Sequence, residues 1–206
     1  MKKSMLLCLL ALALLSIGAQ AAIITNPGFE DPAGVDGPAA GWTDTSLVFG
    51  YNRCDATCGG VGPHSGTYWA WLGGISTSET GSISQSVTIP VGGSAVLSYY
   101  LWNSSTTIPG AGTMTVTIDG NPLLTLLSDA PAIGGYQFTS HDISSYADGG
   151  SHTIAFAMTK GVTPNSWNVH IDDVDLVVRQ AEVPEPSTFL LGGSALLGLA
   201  FLRRRR

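Results

Sequence analysis

Basic residues are scarce over most of this sequence. Between Ala22 and Pro184 only Arg53, Lys160 and Arg179 are basic, against fourteen acidic residues, which gives this segment a formal net charge of about −11. A surface this acidic repels the phosphates of nucleic acids and of anionic membranes. We therefore expect no nucleic-acid partner. Cations, neutral glycans or simple solubility suit such a surface better.

Cysteine is also scarce, with three residues in the whole chain. Cys8 lies in an apolar N-terminal run, so Cys54 and Cys58 remain as a candidate disulfide, which export to an oxidising compartment would favour. The loop between them is short, so the bond would contribute only about 1–2 kcal/mol and would mainly fix a local glycine-rich loop. The alternative is a metal site in which Asp55 and His64 join the two cysteines.

Local motifs of catalysis are missing as well. The sequence contains neither Gly-x-Ser-x-Gly nor His-Glu-x-x-His. Its four histidines, His64, His141, His152 and His170, are scattered along the chain. A Ser-His-Asp triad could still assemble in space, because its members need not be neighbours in sequence. We predict no catalytic residue and no enzymatic activity, with a secreted hydrolase as an alternative.

Helical periodicity is absent between the two ends of the chain, where apolar and polar residues alternate instead. Ile83, Gln85, Val87 and Ile89 share one face of a half-buried strand. About nine such strands, separated by Gly, Asp, Asn and Pro turns, predict an all-β fold: a two-sheet antiparallel jelly-roll sandwich. The predicted strands are Ser46–Tyr51, Tyr68–Leu72, Ile83–Ile89, Ala95–Trp102, Met114–Ile118, Leu123–Leu127, Tyr136–Ile143, Ile154–Met158 and Trp167–Val178.

The N-terminal residues have the layout of a secretory signal peptide. Lys2 and Lys3 precede an apolar run from Met5 to Leu15, and Ala19-Gln20-Ala21 is a small-x-small cleavage site. We therefore assign residues 1–21 to a signal peptide and residues 22–180 to the β-sandwich domain. The alternative is an uncleaved membrane anchor, although the apolar run is short for a span.

The C-terminal residues 181–206 form a second terminal segment with three parts. A rigid Val183-Pro184-Glu185-Pro186 stretch is followed by an apolar run and then by Arg203, Arg204, Arg205 and Arg206. The run from Phe189 to Leu202 would span about 21 Å as a helix. Four arginines cannot be buried in a core but fit a cytoplasmic membrane interface. We predict a transmembrane helix over 188–202, with the domain on the opposite side of the membrane.

This tail resembles the bacterial PEP-CTERM sorting signal, whose hallmark is Pro-Glu-Pro before a membrane segment that ends in arginines. The resemblance implies that an exosortase, a membrane-bound processing enzyme, recognises Pro184, Glu185 and Pro186 and removes the tail. The protein would then be anchored in the inner membrane before processing and reside at the cell surface or outside the cell afterwards. Hosts of such systems are typically Gram-negative bacteria that make exopolysaccharide or biofilm.

The domain between the two ends resembles the galactose-binding-like jelly rolls, which include many carbohydrate-binding modules. Asn26-Pro27-Gly28-Phe29-Glu30 is similar to their opening Asn-Gly-Gly-Phe-Glu, although Pro27 departs from it. His170-Ile171-Asp172-Asp173-Val174 is similar to their last strand. The intervening Ser65-Gly66-Thr67-Tyr68 and Ile83-Ser84-Gln85-Ser86-Val87 occur in the expected order.

That resemblance also implies a structural calcium ion that ties the first strand to the last. Glu30 and Asp172 would supply carboxylates and Gly28 a backbone carbonyl, with Asp173 as the alternate because a one-residue register error exchanges the two. The opposing interpretation is that these are ordinary exposed acids near strand ends.

Aromatic residues near predicted loops are candidates for stacking against sugar rings: Trp42, Tyr51 and Trp167. The opposing interpretation is that tryptophans in a small sandwich mostly belong to its core. We therefore predict a non-catalytic exported protein of the extracellular matrix, with a domain that associates with polysaccharide. The alternative is a structural or adhesive matrix protein without a specific ligand.

Overall fold

The computed structural model describes residues 23–30, 37–105 and 108–179, which form two antiparallel sheets. Apart from two single-turn 3₁₀ segments, all regular structure in these ranges is β-strand. The strands are β1 (Thr43–Ser46), β2 (Arg53–Cys54), β3 (Trp69–Gly73), β4 (Glu79–Thr88), β5 (Ser94–Asn103), β6 (Gly112–Ile118), β7 (Asn121–Leu127), β8 (Gln137–Asp142), β9 (Ser151–Lys160) and β10 (Asn168–Arg179).

Each sheet has five strands, and the chain crosses repeatedly from one to the other. The first sheet has the order β1-β4-β9-β6-β7 and the second has the order β2-β3-β10-β5-β8. The alternation seen in the sequence places one side of each central strand in the shared core, as with Ile83 on β4 and Phe156 on β9, both fully buried. Each such side chain contributes about 1.5–3 kcal/mol of hydrophobic stabilisation. The predicted all-β sandwich is confirmed.

One predicted strand is wrong. The segment Ser46–Tyr51 contains only the last residue of β1, after which the chain turns at Leu47–Phe49 and forms an isolated bridge between Ser46 and Gly50. The apolar residues of this segment are typical of a strand, but its backbone amides donate hydrogen bonds to a carboxylate on β4, which holds the segment in a turn.

A β-bulge interrupts β10 between Asp172 and Asp175. Asp172 pairs with Tyr100 and Asp175 pairs with Ser98, so β10 carries one extra residue relative to β5. Asp173 adopts a positive φ of 49°. The next amide, Val174 N–H, donates to the Pro27 carbonyl at 2.9 Å instead of to a strand partner. The bulge therefore joins the N-terminal segment to the centre of the second sheet.

Several predictions lie outside the described residues: the signal peptide 1–21, the transmembrane helix 188–202, the Pro184-Glu185-Pro186 motif and the arginine cluster 203–206. Among the residues that the structure describes, no helix is long and apolar enough to cross a membrane.

Candidate functional site

The four residues predicted to bind calcium meet where the N-terminal segment contacts the bulge of β10. We call this group, Gly28, Glu30, Asp172 and Asp173, the acidic junction. A side-chain carbon on Gly28 would lie 3.6 Å from Asp173 Oδ1 and 3.7 Å from Asp172 Oδ1. Because of the bulge, both aspartates face the junction, although consecutive strand residues normally point to opposite sides.

The carboxylates of the junction hold the loop before β3. Asp172 Oδ2 accepts hydrogen bonds from the backbone amides of His64 at 2.7 Å and Ser65 at 3.1 Å. Asp173 contacts the same two residues, through His64 Nδ1 at 2.6 Å and Ser65 Oγ at 2.7 Å. Glu30 Oε1 accepts from two further backbone amides of this loop. The junction therefore fixes the loop to the end of the domain.

Asp172 is fully buried. Burial raises the pKa of Asp172 to about 6, and the neighbouring Asp173 charge acts in the same direction, while amide hydrogen bonds from Ser65, Asp173 and His64 oppose it. A calcium ion would offset the electrostatic repulsion between these neighbouring carboxylates. Calcium prefers oxygen ligands, and the carboxylate oxygens beside Gly28 are of that kind. Within the described ranges, no group of three or more His, Cys, Asp or Glu side chains is arranged as a metal site. Calcium at the junction remains a prediction.

A cleft of about 320 Å³ opens beside β2 and β3. Phe49, Tyr51 and Trp71 line it, together with Cys54 and Cys58. The two cysteines form a disulfide with a Cα–Cα distance of 5.8 Å, so neither offers a free thiolate to a metal. The disulfide fixes one wall of the cleft. Most of the surface inside it is apolar.

The indole of Trp71 is half-buried in this cleft and is held in place from several directions. Its Nε1 donates to Asn168 Oδ1 at 3.1 Å. A side chain at Gly60 would approach the ring to 3.0 Å, and Gly60 also has a positive φ of 81°, so glycine is required there. The ring orientation therefore does not depend on a ligand.

The turn after β1 contributes Phe49 to the lining of the cleft. Leu47, Val48 and Phe49, which we call the apolar tip, are exposed, whereas Glu79 beneath them is only 1% exposed. The Glu79 carboxylate accepts hydrogen bonds from Ser46 Oγ at 2.6 Å and from the Leu47 and Val48 amides at 3.0 Å each. This buried side chain folds the predicted strand into a turn.

Asp44, on β1, holds the residues that follow the same turn. Its carboxylate accepts from the backbone amides of Asn52 at 2.8 Å and Arg53 at 3.2 Å and from the Asn52 side chain at 2.7 Å. Burial raises the pKa of Asp44, while the hydrogen bonds from Asn52 lower it. Buried acceptors on both sides of the turn thus position the aromatic rings of the cleft.

Of the three aromatic residues predicted to stack on sugars, only Tyr51 lines the cleft. Trp42 and Trp167 are 6% and 0% exposed, so their rings are core residues that offer no face to a ligand. Trp42 packs on Phe29 with ring centroids 5.0 Å apart. The prediction preferred aromatic residues near loops and therefore did not include Trp71 and Phe49, which lie within predicted strands.

A Ser-His-Asp triad requires the histidine to lie between the serine and the acid. His64, Ser65 and Asp173 lie together, but Asp173 is in the middle and receives the Ser65 hydroxyl hydrogen itself. His64 therefore cannot activate Ser65 in this arrangement.

The buried His170 contacts Ser104 but is also unsuited to act as a base. Trp69 Nε1 donates to His170 Nδ1 at 3.1 Å, so the neutral ring carries its hydrogen on Nε2, which donates to Ser104 Oγ at 3.0 Å. Burial lowers the pKa of His170 to about 4. In the part of the chain that the structure describes, no histidine bridges a serine hydroxyl and a carboxylate.

The fold is similar to that of TmCBM61, a carbohydrate-binding module whose structure contains beta-1,4-galactotriose. The TM-score is 0.55 at 15% identity, over 78% of this chain and 100% of that chain. A family 35 carbohydrate-binding module from Clostridium thermocellum has a TM-score of 0.40 at 15% identity, covering 66% of this chain and 92% of the other. A Stig cyclase, Fisc from Fischerella sp. TAU, scores 0.45 at 15% identity, with coverage of 78% and 98%. No curated protein matches the sequence significantly.

The likeness to TmCBM61 shows that this domain shares its β-sandwich fold with a carbohydrate-binding module. Residues 182–206 match the PEP-CTERM protein-sorting motif, so the resemblance of the tail is confirmed. The chain therefore carries the tail of an exported protein that is sorted to the cell envelope.

Proposed function

We propose that this protein is a non-catalytic surface protein whose β-sandwich binds polysaccharide in the cleft beside β2 and β3. The observation that supports this most directly is the set of three aromatic side chains, Phe49, Tyr51 and Trp71, around one fixed cleft. Its volume of about 320 Å³ lies at the lower end of the range of about 300–1,000 Å³ that is typical of ligand pockets. Aromatic rings suit the apolar faces of sugars, as they do other flat apolar groups.

Charge favours a neutral polymer as the ligand. The segment from Ala22 to Pro184 carries about −11 formal charges, so polyanions such as uronic-acid polymers meet long-range repulsion. The similar module TmCBM61 was solved with a neutral galactose oligomer, which supports a neutral galactan as one probe. A protein exported to the cell envelope would encounter neutral polysaccharides at the surface of the bacterium that produces it.

The remaining parts of the chain serve delivery in this proposal. The signal peptide 1–21 directs export, and the helix 188–202 anchors the protein in the inner membrane. An exosortase then processes the tail at Pro184-Glu185-Pro186 and releases the domain to the surface or the extracellular matrix. Mass spectrometry of the mature C-terminus tests this step. A product that ends between Pro184 and Ser187 supports it, and intact arginines 203–206 contradict it.

Calcium has a structural part in the proposal. Glu30, Asp172 and Asp173 would hold the ion through carboxylates, with Gly28 contributing its carbonyl. When bound, the ion supplies positive charge at the contact between the N-terminal segment and β10. Its proposed role is to stabilise the fold, because the acidic junction and the cleft are lined by different residues.

Affinity electrophoresis against neutral galactan, glucan, mannan and xylan tests the binding function. We expect retardation by at least one polymer, weakened at least tenfold by Tyr51→Ala or Trp71→Ala. Phe138→Ala is the matched control, because Phe138 is an aromatic residue that is 61% exposed on β8 and does not line the cleft. If no polymer retards the protein, or if Phe138→Ala weakens binding as much as the cleft variants do, the result would favour an adhesive or structural protein without a specific ligand.

A further inference from the structure

The apolar tip is unusual because three consecutive large apolar side chains point into solvent. Leu47 is 70% exposed, Val48 is 45% exposed and Phe49 is 53% exposed. Single exposed apolar residues are ordinary, but a contiguous group at a turn indicates a contact surface. Turns normally carry polar residues, so this composition calls for a physical reason.

The backbone of the tip is held by hydrogen bonds, so the exposure of its side chains does not come from an unsupported loop. The Leu47 amide donates to both Thr80 O and Glu79 Oε1, and the Val48 amide donates to Glu79 Oε2. The Phe49 amide donates to Ser46 Oγ at 3.0 Å, and the amide after it, at position 50, donates to Ser46 O at 3.1 Å. Four consecutive amides are therefore satisfied. A buried carboxylate holds the backbone in the one shape that presents these side chains outward.

The tip is continuous with the cleft through Phe49, which belongs to both. Phe49 and Tyr51 offer flat rings, which suit the face of a sugar ring. Leu47 and Val48 are branched and aliphatic, so they have no flat face and instead pack well around small methyl-bearing groups. Residues 46–51 contain no charged side chain. A ligand that extends from the cleft over the tip thus meets first an aromatic and then an aliphatic surface.

We infer that the polysaccharide recognised by this protein carries methyl-bearing substituents, O-acetyl groups or the methyl groups of 6-deoxy sugars, and that Leu47 and Val48 bind them. This inference rests on the proposed polysaccharide function and specifies the class of its ligand. The tip acts as a subsite for the substituent while the cleft binds the sugar backbone.

Two pairs of polymers test the inference and distinguish the two sources of the methyl group. The first pair is β-1,4-galactan with and without chemical O-acetylation, and the second is a 6-deoxymannan and the corresponding mannan. Burial of one methyl group is expected to increase affinity about fourfold, which corresponds to about 0.8 kcal/mol. We expect this gain in at least one pair, measured by isothermal titration calorimetry.

The gain should disappear in Leu47→Ser combined with Val48→Ser and persist in Leu127→Ser. Leu127 is 50% exposed on β7, at the opposite edge of the sheet that contains β1, and is therefore a matched control. Since all three leucine and valine side chains are exposed, the variants should keep the wild-type melting temperature, which is measured alongside.

The outcomes separate the two proposals. If unmodified polymers bind through Tyr51 but methyl groups add nothing, the subsite is refuted and the polysaccharide function stands. If the gain persists in the tip variant, the methyl groups bind elsewhere and the inference is wrong. If no polymer binds in either form, both proposals fail. A further outcome is that the wild-type protein binds phosphatidylcholine vesicles, or forms a dimer in size-exclusion chromatography, in a way that the tip variant does not. The tip would then contact a membrane or a second copy, and the inference would be overturned.

Discussion

The acidic junction gives a quantitative prediction about stability and pH. Asp172 is buried and its pKa is raised from 3.8 to about 6. In the absence of divalent cations, the folded protein keeps this carboxyl protonated at pH 5, whereas the unfolded chain has lost the proton. The unfolding free energy therefore falls as the pH rises from about 4 to about 6. At about 1.4 kcal/mol per pH unit, the loss amounts to about 3 kcal/mol, or a fall of roughly 6–12 °C in melting temperature.

Thermal unfolding in EDTA, followed by circular dichroism at closely spaced pH values, measures this loss. Asp172→Asn removes the titrating group and should flatten the profile between pH 4 and 6. Asp175→Asn, an exposed change on the same strand, should leave it unaltered. A wild-type profile that matches Asp172→Asn would refute the argument from burial.

Calcium should reverse the trend, because the ion binds the ionised carboxylates and competes with the proton. We expect an excess of calcium to raise the melting temperature by several degrees at pH 7.5 and by much less at pH 4.5. Asp172→Asn should lose most of this effect. An unchanged melting temperature at pH 7.5 with calcium and with EDTA would contradict the proposed structural ion.

Three further predictions concern other buried or bridged groups. Glu79→Gln replaces one acceptor oxygen with a donor that faces an amide of the apolar tip. Urea denaturation should therefore show that the free energy of unfolding falls by about 2 kcal/mol. A fall of less than about 0.5 kcal/mol would contradict the role of the carboxylate. Hydrogen bonds to Asp119 and Asp148 raise the pKa of His152, so its contribution to stability is complete below about pH 6.5 and is lost at higher pH. In urea denaturation, His152→Gln should therefore destabilise the protein more at pH 5.5 than at pH 9, and an equal loss at both pH values would contradict this role. Reduction of the disulfide by dithiothreitol should cost about 1–2 kcal/mol in urea denaturation because the closed loop is short, and a loss of all cooperative unfolding would show a larger role.

Strands whose two faces differ could be predicted from the sequence alone. β4, β6 and β9 alternate strictly, and their inward residues Ile83, Val116 and Phe156 are fully buried. Period two is a direct consequence of strand geometry, so no knowledge of the partner strands is needed. The partners themselves are set by contacts distant in sequence, which the pattern does not contain.

The turn at Leu47–Phe49 and the burial of Trp42 and Trp167 could not be predicted in this way. The turn depends on Glu79, a residue about thirty positions away, which looks like any other acid in the sequence. Trp42 and Trp167 lie near loops in sequence, yet their rings turn inward and donate to Asn26 O and Asn103 Oδ1. Proximity to a loop does not determine the direction of a side chain. The cleft is assembled from such long-range contacts.

The acidic junction could be predicted only in part from the sequence. The motifs containing Glu30 and Asp172 could be associated through family resemblance, but the sequence left Asp172 and Asp173 as alternatives. The structure brings both to the junction, because the bulge turns Asp173 to the same side.

The bulge also divides β10 into two halves of opposite parity. Before it, the odd positions Val169 and Ile171 face the core; after it, the even positions Val174, Leu176 and Val178 do. A comparison of related sequences that applies one alternation to the whole strand will therefore misassign one half. Deletion of the one extra residue would restore a continuous alternation in which Ile171 and Val174 both still face the core, so the bulge adds an acidic residue to the junction without changing which side chains the second half buries.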